Sequence, residues 1–157
     1  VTTLDVTGVS TIVDADVTTL DVTGTATLAD ANVTTLDVTG VSTLATVTAD
    51  SAVAGTQTAN ATGSTTLDFS AQQNFVLTLT GNATLANPTT ETVGQSGFIV
   101  FIQDATGGRT VSLGTEYETA GAGGLTLSTA ASTTDIVPYV VAASGRILLG
   151  APQLAFA

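Results

Sequence analysis

The sequence predicts an all-β protein in two parts: a repetitive β stalk built from 16-residue repeats, then an antiparallel β-sandwich-like module, with three copies intertwined as a homotrimer. Three observations point there. The first 48 residues are three near-identical tandem units. Thr and Val, both β-branched strand formers, dominate the chain. No segment repeats its apolar residues at the helical period.

The units read VTTLDVTGVSTIVDAD, VTTLDVTGTATLADAN and VTTLDVTGVSTLATVT, identical over their first eight residues. Within the first, Leu4 and Val6 alternate with Thr3, Asp5 and Thr7, the period-2 pattern of a half-buried strand. Gly8 breaks the run at a turn, and Ile12 returns to the inner face. The predicted repeat core is therefore Leu4, Val6 and Ile12, then Leu20, Val22 and Leu28, then Leu36, Val38 and Leu44. A degraded partial copy extends the stalk to residue 54.

One unit offers only three or four good apolar side chains. Each yields roughly 1.5–3 kcal/mol when fully buried, whereas ordering each residue costs about 1–2 kcal/mol in backbone entropy. Three chains wound about one axis would let each apolar stripe face two others, and this shortfall is the physical case for a trimer. A single-chain β-solenoid is the competing architecture, with coils that sixteen residues would barely close.

Residues 55–63, GTQTANATG, are small, polar and turn-rich, and read as a linker. From residue 64 the repeat gives way to longer strands, expected at 65–70, 75–80, 83–86, 97–103, 109–113, 125–128, 135–141 and 146–149. Their even spacing and Gly-, Asn- or Pro-containing turns predict an antiparallel sandwich over 64–157. All the aromatic residues lie here, so the larger core is expected in this part.

Composition excludes several functions. There is no Cys and no His, which removes nucleophilic triads, Cys–His dyads and thiolate or imidazole zinc sites. Arg109 and Arg146 are the only cations against 13 acidic residues, a formal charge of −11. Nucleic acid and anionic membrane surfaces need clustered basic residues, so neither is an expected partner. With 43% hydrophobic and 10% charged residues the chain is not a disordered acidic segment. The longest apolar stretch, 136–143, is interrupted by Pro138 and is too short to span a bilayer. The chain starts at Val1 without any Met, so a missing N-terminal part is expected to join it to other proteins.

The stretch 97–111, Gly-Phe-Ile-Val-Phe-Ile-Gln-Asp-Ala-Thr-Gly-Gly-Arg-Thr-Val, resembles C-terminal modules of tailed-phage fibre and appendage proteins. The runs LSTAASTTDIVPYVV and SGRILLGAPQLAF are similar to the same group, and the 16-residue units resemble triple-β-spiral shafts. Where many relatives carry a Trp-bearing segment, this chain has Gly114-Thr115-Glu116-Tyr117. The resemblance implies an exterior virion appendage, usually trimeric, that serves as a structural fibre or in host adhesion through a surface glycan or protein.

Candidate sites are few. Asp104, Gly107, Gly108 and Arg109 are expected to form a hairpin turn, with Arg109 neutralising Asp104 or Asp135. Gly107-Gly108 lacks the Gly-Lys-Ser/Thr ending of a phosphate loop. Glu116, Tyr117 and Glu118 are candidate receptor contacts. Paired carboxylates are the one catalytic route left, with Glu116 or Glu118 matched to Asp104 or Asp135; a solvated acidic edge is the simpler reading, and no catalytic residue is assigned. Asp14, Asp16 and Asp30 could hold Ca²⁺ if three chains brought them together, or be plain acidic loops. No cofactor is expected. A structural and adhesive virion fibre is the leading function; a non-viral extracellular filament or adhesin, and a polysaccharide-cleaving fibre, are the alternatives.

Overall fold

The computed structural model describes residues 46–156. The chain divides into two units, 1–47 and 48–157, and nearly all the described residues belong to the second. The repeat-core residues and the carboxylates Asp14, Asp16 and Asp30 lie outside the described residues.

The described part is all-β, as the sequence predicts. Eight strands follow one another: β1 (Thr56–Thr66), β2 (Asn74–Ala86), β3 (Ser96–Gln103), β4 (Val111–Leu113), β5 (Tyr117–Thr119), β6 (Thr134–Ala143), β7 (Arg146–Leu149) and β8 (Gln153–Phe156). One short 3₁₀ turn, Ala120–Ala122, interrupts them. They form one curled sheet in the order β1-β2-β3-β6-β7-β5, with β4 added to β2 and β8 to β6.

Strand direction differs from the expected antiparallel arrangement. β2 runs parallel to β1, β3 and β4, and β5 parallel to β7. Only β6 makes antiparallel pairs, with β3, β7 and β8. The physical reason lies in the connections. A parallel pair needs a crossover long enough to carry the chain back to the starting end, and residues 67–73 and 87–95 do so. The first of these brings Leu67 and Phe69 into the core, so the crossover is itself packed. Alternating burial is common to both strand directions and does not distinguish them.

The segment read as a linker is strand instead. Residues 56–63 belong to β1, and Ala59 and Ala61 pair with Leu77 and Leu79 of β2. Ala61 is fully buried, small against the large leucine across the ladder. Small and polar composition reads as loop, but the ladder to β2 overrides it.

The expected strands at 75–80 and 83–86 are one bent strand, β2. Three residues, 80–82, oppose the single Thr62 between the pairs Ala61↔Leu79 and Gly63↔Ala83, which makes a bulge and a bend. The expected strand at 65–70 ends at Thr66, where Asp68 caps a turn by accepting from the Ser70 amide and hydroxyl at 3.1 and 2.6 Å. Residues 125–128 are not strand, although Leu125 and Leu127 do pack against the core. Strands β5 and β8 were not expected.

The repeat spacing continues past residue 54. Leu4-x-Val6-Thr7-Gly8, with Ile12 eight positions after Leu4, has the same spacing as Leu77-x-Leu79-Thr80-Gly81 with Leu85 in β2. In β1 the pattern is Ala59-x-Ala61-Thr62-Gly63 with Leu67. Leu77, Leu79 and Leu85 are fully buried, so in β2 the spacing is that of a bent strand with its apolar positions inward.

The core sits on one face of the curl. From β2 come Phe75, Leu77, Leu79 and Leu85, from β3 Ile99 and Phe101, and from β6 Val137, Tyr139 and Val141. Phe69, Phe75 and Tyr139 form an aromatic group with ring centroids 4.9, 5.2 and 6.0 Å apart. The Tyr139 hydroxyl donates to the Gln73 carbonyl at 2.6 Å, and burial pushes its pKa up to about 12. Gly97 lies beneath this contact: a Cβ there would collide with the Gln73 carbonyl and meet the Tyr139 ring at 3.2 Å.

Leu77→Ala is expected to destabilise the chain by about 2–5 kcal/mol through the cavity it leaves, read as a lowered midpoint in urea. Gly97→Ala is expected to lower the midpoint too, by collision rather than cavity.

Candidate functional site

The loop 104–110 does not close a hairpin. β3 pairs with β2 at residues 75–79 and β4 pairs with β2 at 83–85, both in parallel. The loop is therefore an excursion between two successive partners of one strand. Inward alternation along β3 continues from Ile99 and Phe101 to Gln103, which is 3% exposed. A buried amide must be satisfied, and Gln103 organises the loop in satisfying it. Its Oε1 accepts from the Arg109 amide at 2.9 Å, and its Nε2 donates to the carbonyls of Arg109 and Ser128 at 2.8 Å each.

Asp104 closes the same loop from outside. Its Oδ1 accepts from the amides of Thr106 and Gly107, both at 2.9 Å. Its Oδ2 accepts from Arg109 Nε at 3.1 Å and Nη2 at 2.9 Å. The guanidinium, helped by the two amides, holds the Asp104 pKa below its ordinary value against the opposing effect of desolvation. Gly107 has φ +71°, and a Cβ on it would lie 2.6 Å from the Thr129 carbonyl, which only glycine permits. Of the two carboxylates considered for Arg109, Asp104 is thus the partner.

Asp135 has a different environment. It is 2% exposed, and its carboxylate accepts from the Ser128 amide at 2.6 Å, the Ser128 hydroxyl at 2.7 Å and the Ala155 amide at 2.8 Å. It fastens the 125–128 segment and β8 to β6. The sequence signal for both organisers is the same: a polar residue at an inward position of an apolar strand.

Glu116, Tyr117 and Glu118 do not form one exposed surface. Tyr117 points into the core at 5% exposure, and burial raises its pKa, with Glu116 adding to the effect. Glu118 points outward and accepts from Arg146 Nε at 2.8 Å and Nη2 at 3.1 Å; this pair lowers the Glu118 pKa and raises that of Arg146. Glu116 is half-buried, with its amide held by Asn87 at 3.1 Å. An open cavity of about 520 Å³ lies beside this strand, lined by Leu113, Tyr117, Glu118 and Gly124 among others. Among the described residues no group of three or more acidic side chains is placed to hold a metal ion.

Chemically, both arginines are in ion pairs, and Asp135 is sealed by backbone and hydroxyl donors. The geometry is that of an all-β module in which Gln103, Asp104 and Asp135 brace loops. The family model described as "Putative phage tail fibre C-terminal domain" matches residues 59–146, more than half of the chain. The chain belongs to this phage tail fibre family. No curated protein and no solved structure matches it.

Asp104, Asp68 and Glu118 all have lowered pKa values. The unfolded chain then binds protons more readily, so their stabilisation is complete above the unfolded values and is lost as pH falls through the folded ones. Asp104→Asn is accordingly expected to melt below the parent above pH about 4, with the gap closing toward pH 2. Thermal melts of both chains across that range check this.

The Tyr117 hydroxyl is buried without a hydrogen-bond partner among the described residues. A buried unpaired hydroxyl costs roughly 1–3 kcal/mol. Tyr117→Phe is therefore expected to leave the melting temperature unchanged or raise it, whereas Tyr139→Phe, which loses a real bond, lowers it.

Proposed function

We propose that this chain is a structural and adhesive fibre module of a phage particle, homotrimeric and exposed on the outside of the virion, where it contributes to attachment at a host surface glycan or protein. The observation that carries the reading is the match of residues 59–146 to the tail fibre C-terminal family. Two further observations support it. The repeat spacing of residues 1–48 recurs in β1 and β2, where its apolar positions line a core. That favours a β stalk for the repeats, continuous in kind with the module. Asp68, Glu91, Asp104 and Asp135 brace turns and loops by accepting from backbone amides, which suits a part that bears load.

Other virion proteins would join through the N-terminal side. Polysaccharide cleavage has little to recommend it, because Asp104 and Glu118 are each held ionised by an arginine and are poor general acids. No observation favours a non-viral filament.

Light scattering of the purified full chain tests the assembly: a mass of three chains is expected at micromolar concentration, and a single-chain mass overturns the trimer. Attachment is tested by competition. Excess purified chain is expected to lower adsorption of the parent phage to its host several-fold, and unchanged adsorption overturns the adhesive role.

A further inference from the structure

Strands β3 and β6 are apolar on both faces. Ile99, Phe101, Val137, Tyr139 and Val141 point into the core. Between them Phe98, Val100, Ile136, Pro138 and Val140 point the other way; Phe98 and Val140 are exposed and the other three are half-buried. Strands that read as continuous apolar runs belong to sheets covered on both faces. Here the second cover is incomplete among the described residues.

The open side chains are contiguous. Phe98 is opposite Pro138, Val100 lies between Val76 and Ile136, and Val140 is opposite Leu148. Phe98 and Phe156 are 50% and 47% exposed, while the other three phenylalanines are buried. Val76, Phe98, Val100 and Ile136 line an open groove of about 460 Å³. Two polar side chains at its margin are engaged within the chain: Asn74 Oδ1 accepts from the Phe98 amide, and the Thr56 hydroxyl donates to the Ala54 carbonyl.

We propose that this outer face of β2, β3 and β6 is the surface through which copies of the chain meet one another. Charge is the first reason. The chain carries −11, so copies repel over most of their surface, and this face holds no ionised side chain. Toward β5 the same side ends in the neutral Arg146–Glu118 pair. Size is the second. Three strands about 4.8 Å apart and five residues deep make a footprint of roughly 240 Å², well under the roughly 800 Å² that each partner gives a stable two-chain interface. A free partner would not stay on it. Copies already tethered by another part of the chain would, because tethering raises their effective concentration to about the millimolar range. Around a threefold axis three such faces cover one another and leave none wet.

The tethering belongs to the trimeric reading above, and the test separates the two claims. The chain has no Trp, so full chains carrying Phe98→Trp, or Thr90→Trp in an exposed loop as the control, report on single positions. A three-chain mass is expected for the parent, with acrylamide quenching of Phe98→Trp at least threefold weaker than of Thr90→Trp. A trimeric parent whose Phe98→Trp or Val100→Asp chain falls to a lower mass, with its circular dichroism unchanged, also supports the assignment. A three-chain mass with equal quenching, and Val100→Asp still trimeric, overturns this face while the trimer stands. A single-chain parent overturns both.

Discussion

The backbone of β2 is paired along both edges, with β1 on one side and β3 and then β4 on the other. Outside the bulge at 80–82 both of its edges are occupied, and its inward residues, Phe75, Leu77, Leu79 and Leu85, are fully buried. The bend at residues 80–82 determines where the partners can attach. Before the bend β2 accepts β3, after it β4, and the 104–110 loop is the chain needed to pass from one to the other. Arg109 and Asp104 face each other because that loop begins and ends on a single strand's edge.

This ordering explains why the polar side chains serve the fold. Gln103 and Asp135 occupy inward positions where a β-branched or aromatic residue would pack. A buried polar group left unsatisfied is expensive, so each gathers every nearby donor or acceptor it can use. Gln103 thereby fixes the loop, and Asp135 fixes the segment before β6 and the strand after β7. In a chain with only two cations, a buried carboxylate held by amides and a hydroxyl also spares both arginines for Asp104 and Glu118.

The two faces of the sheet then have different fates. The inner one closes on Leu67, Phe69 and the aromatic group, because the parallel crossovers fold back across it. The outer one is left apolar and uncharged. A solvent-facing sheet ordinarily alternates apolar and polar residues, and β3 and β6 depart from that pattern. That face is also free of the carboxylates that give the chain its charge of −11.

Much of this was legible in the sequence, and the limits have physical causes. Period-2 alternation and β-branched composition gave the all-β class, and the runs at 97–103, 135–141 and 146–149 gave β3, β6 and β7 nearly to the residue. The QDATGGRT run marked the loop that Asp104 and Arg109 brace, and the resemblance it carries is that of the matched family. Strand direction was hidden, because parallel and antiparallel strands share one alternation. The strand at 56–66 was hidden because alanines opposite leucines look like a linker until the partner is known. Tyr117 read as a surface ring because nothing local says which side of a three-residue strand is the core. Local pattern thus settled which residues extend, turn and avoid water; only tertiary pairing decided which strands adjoin, which way they run, and which apolar face stays open, since those depend on contacts between residues far apart in the chain.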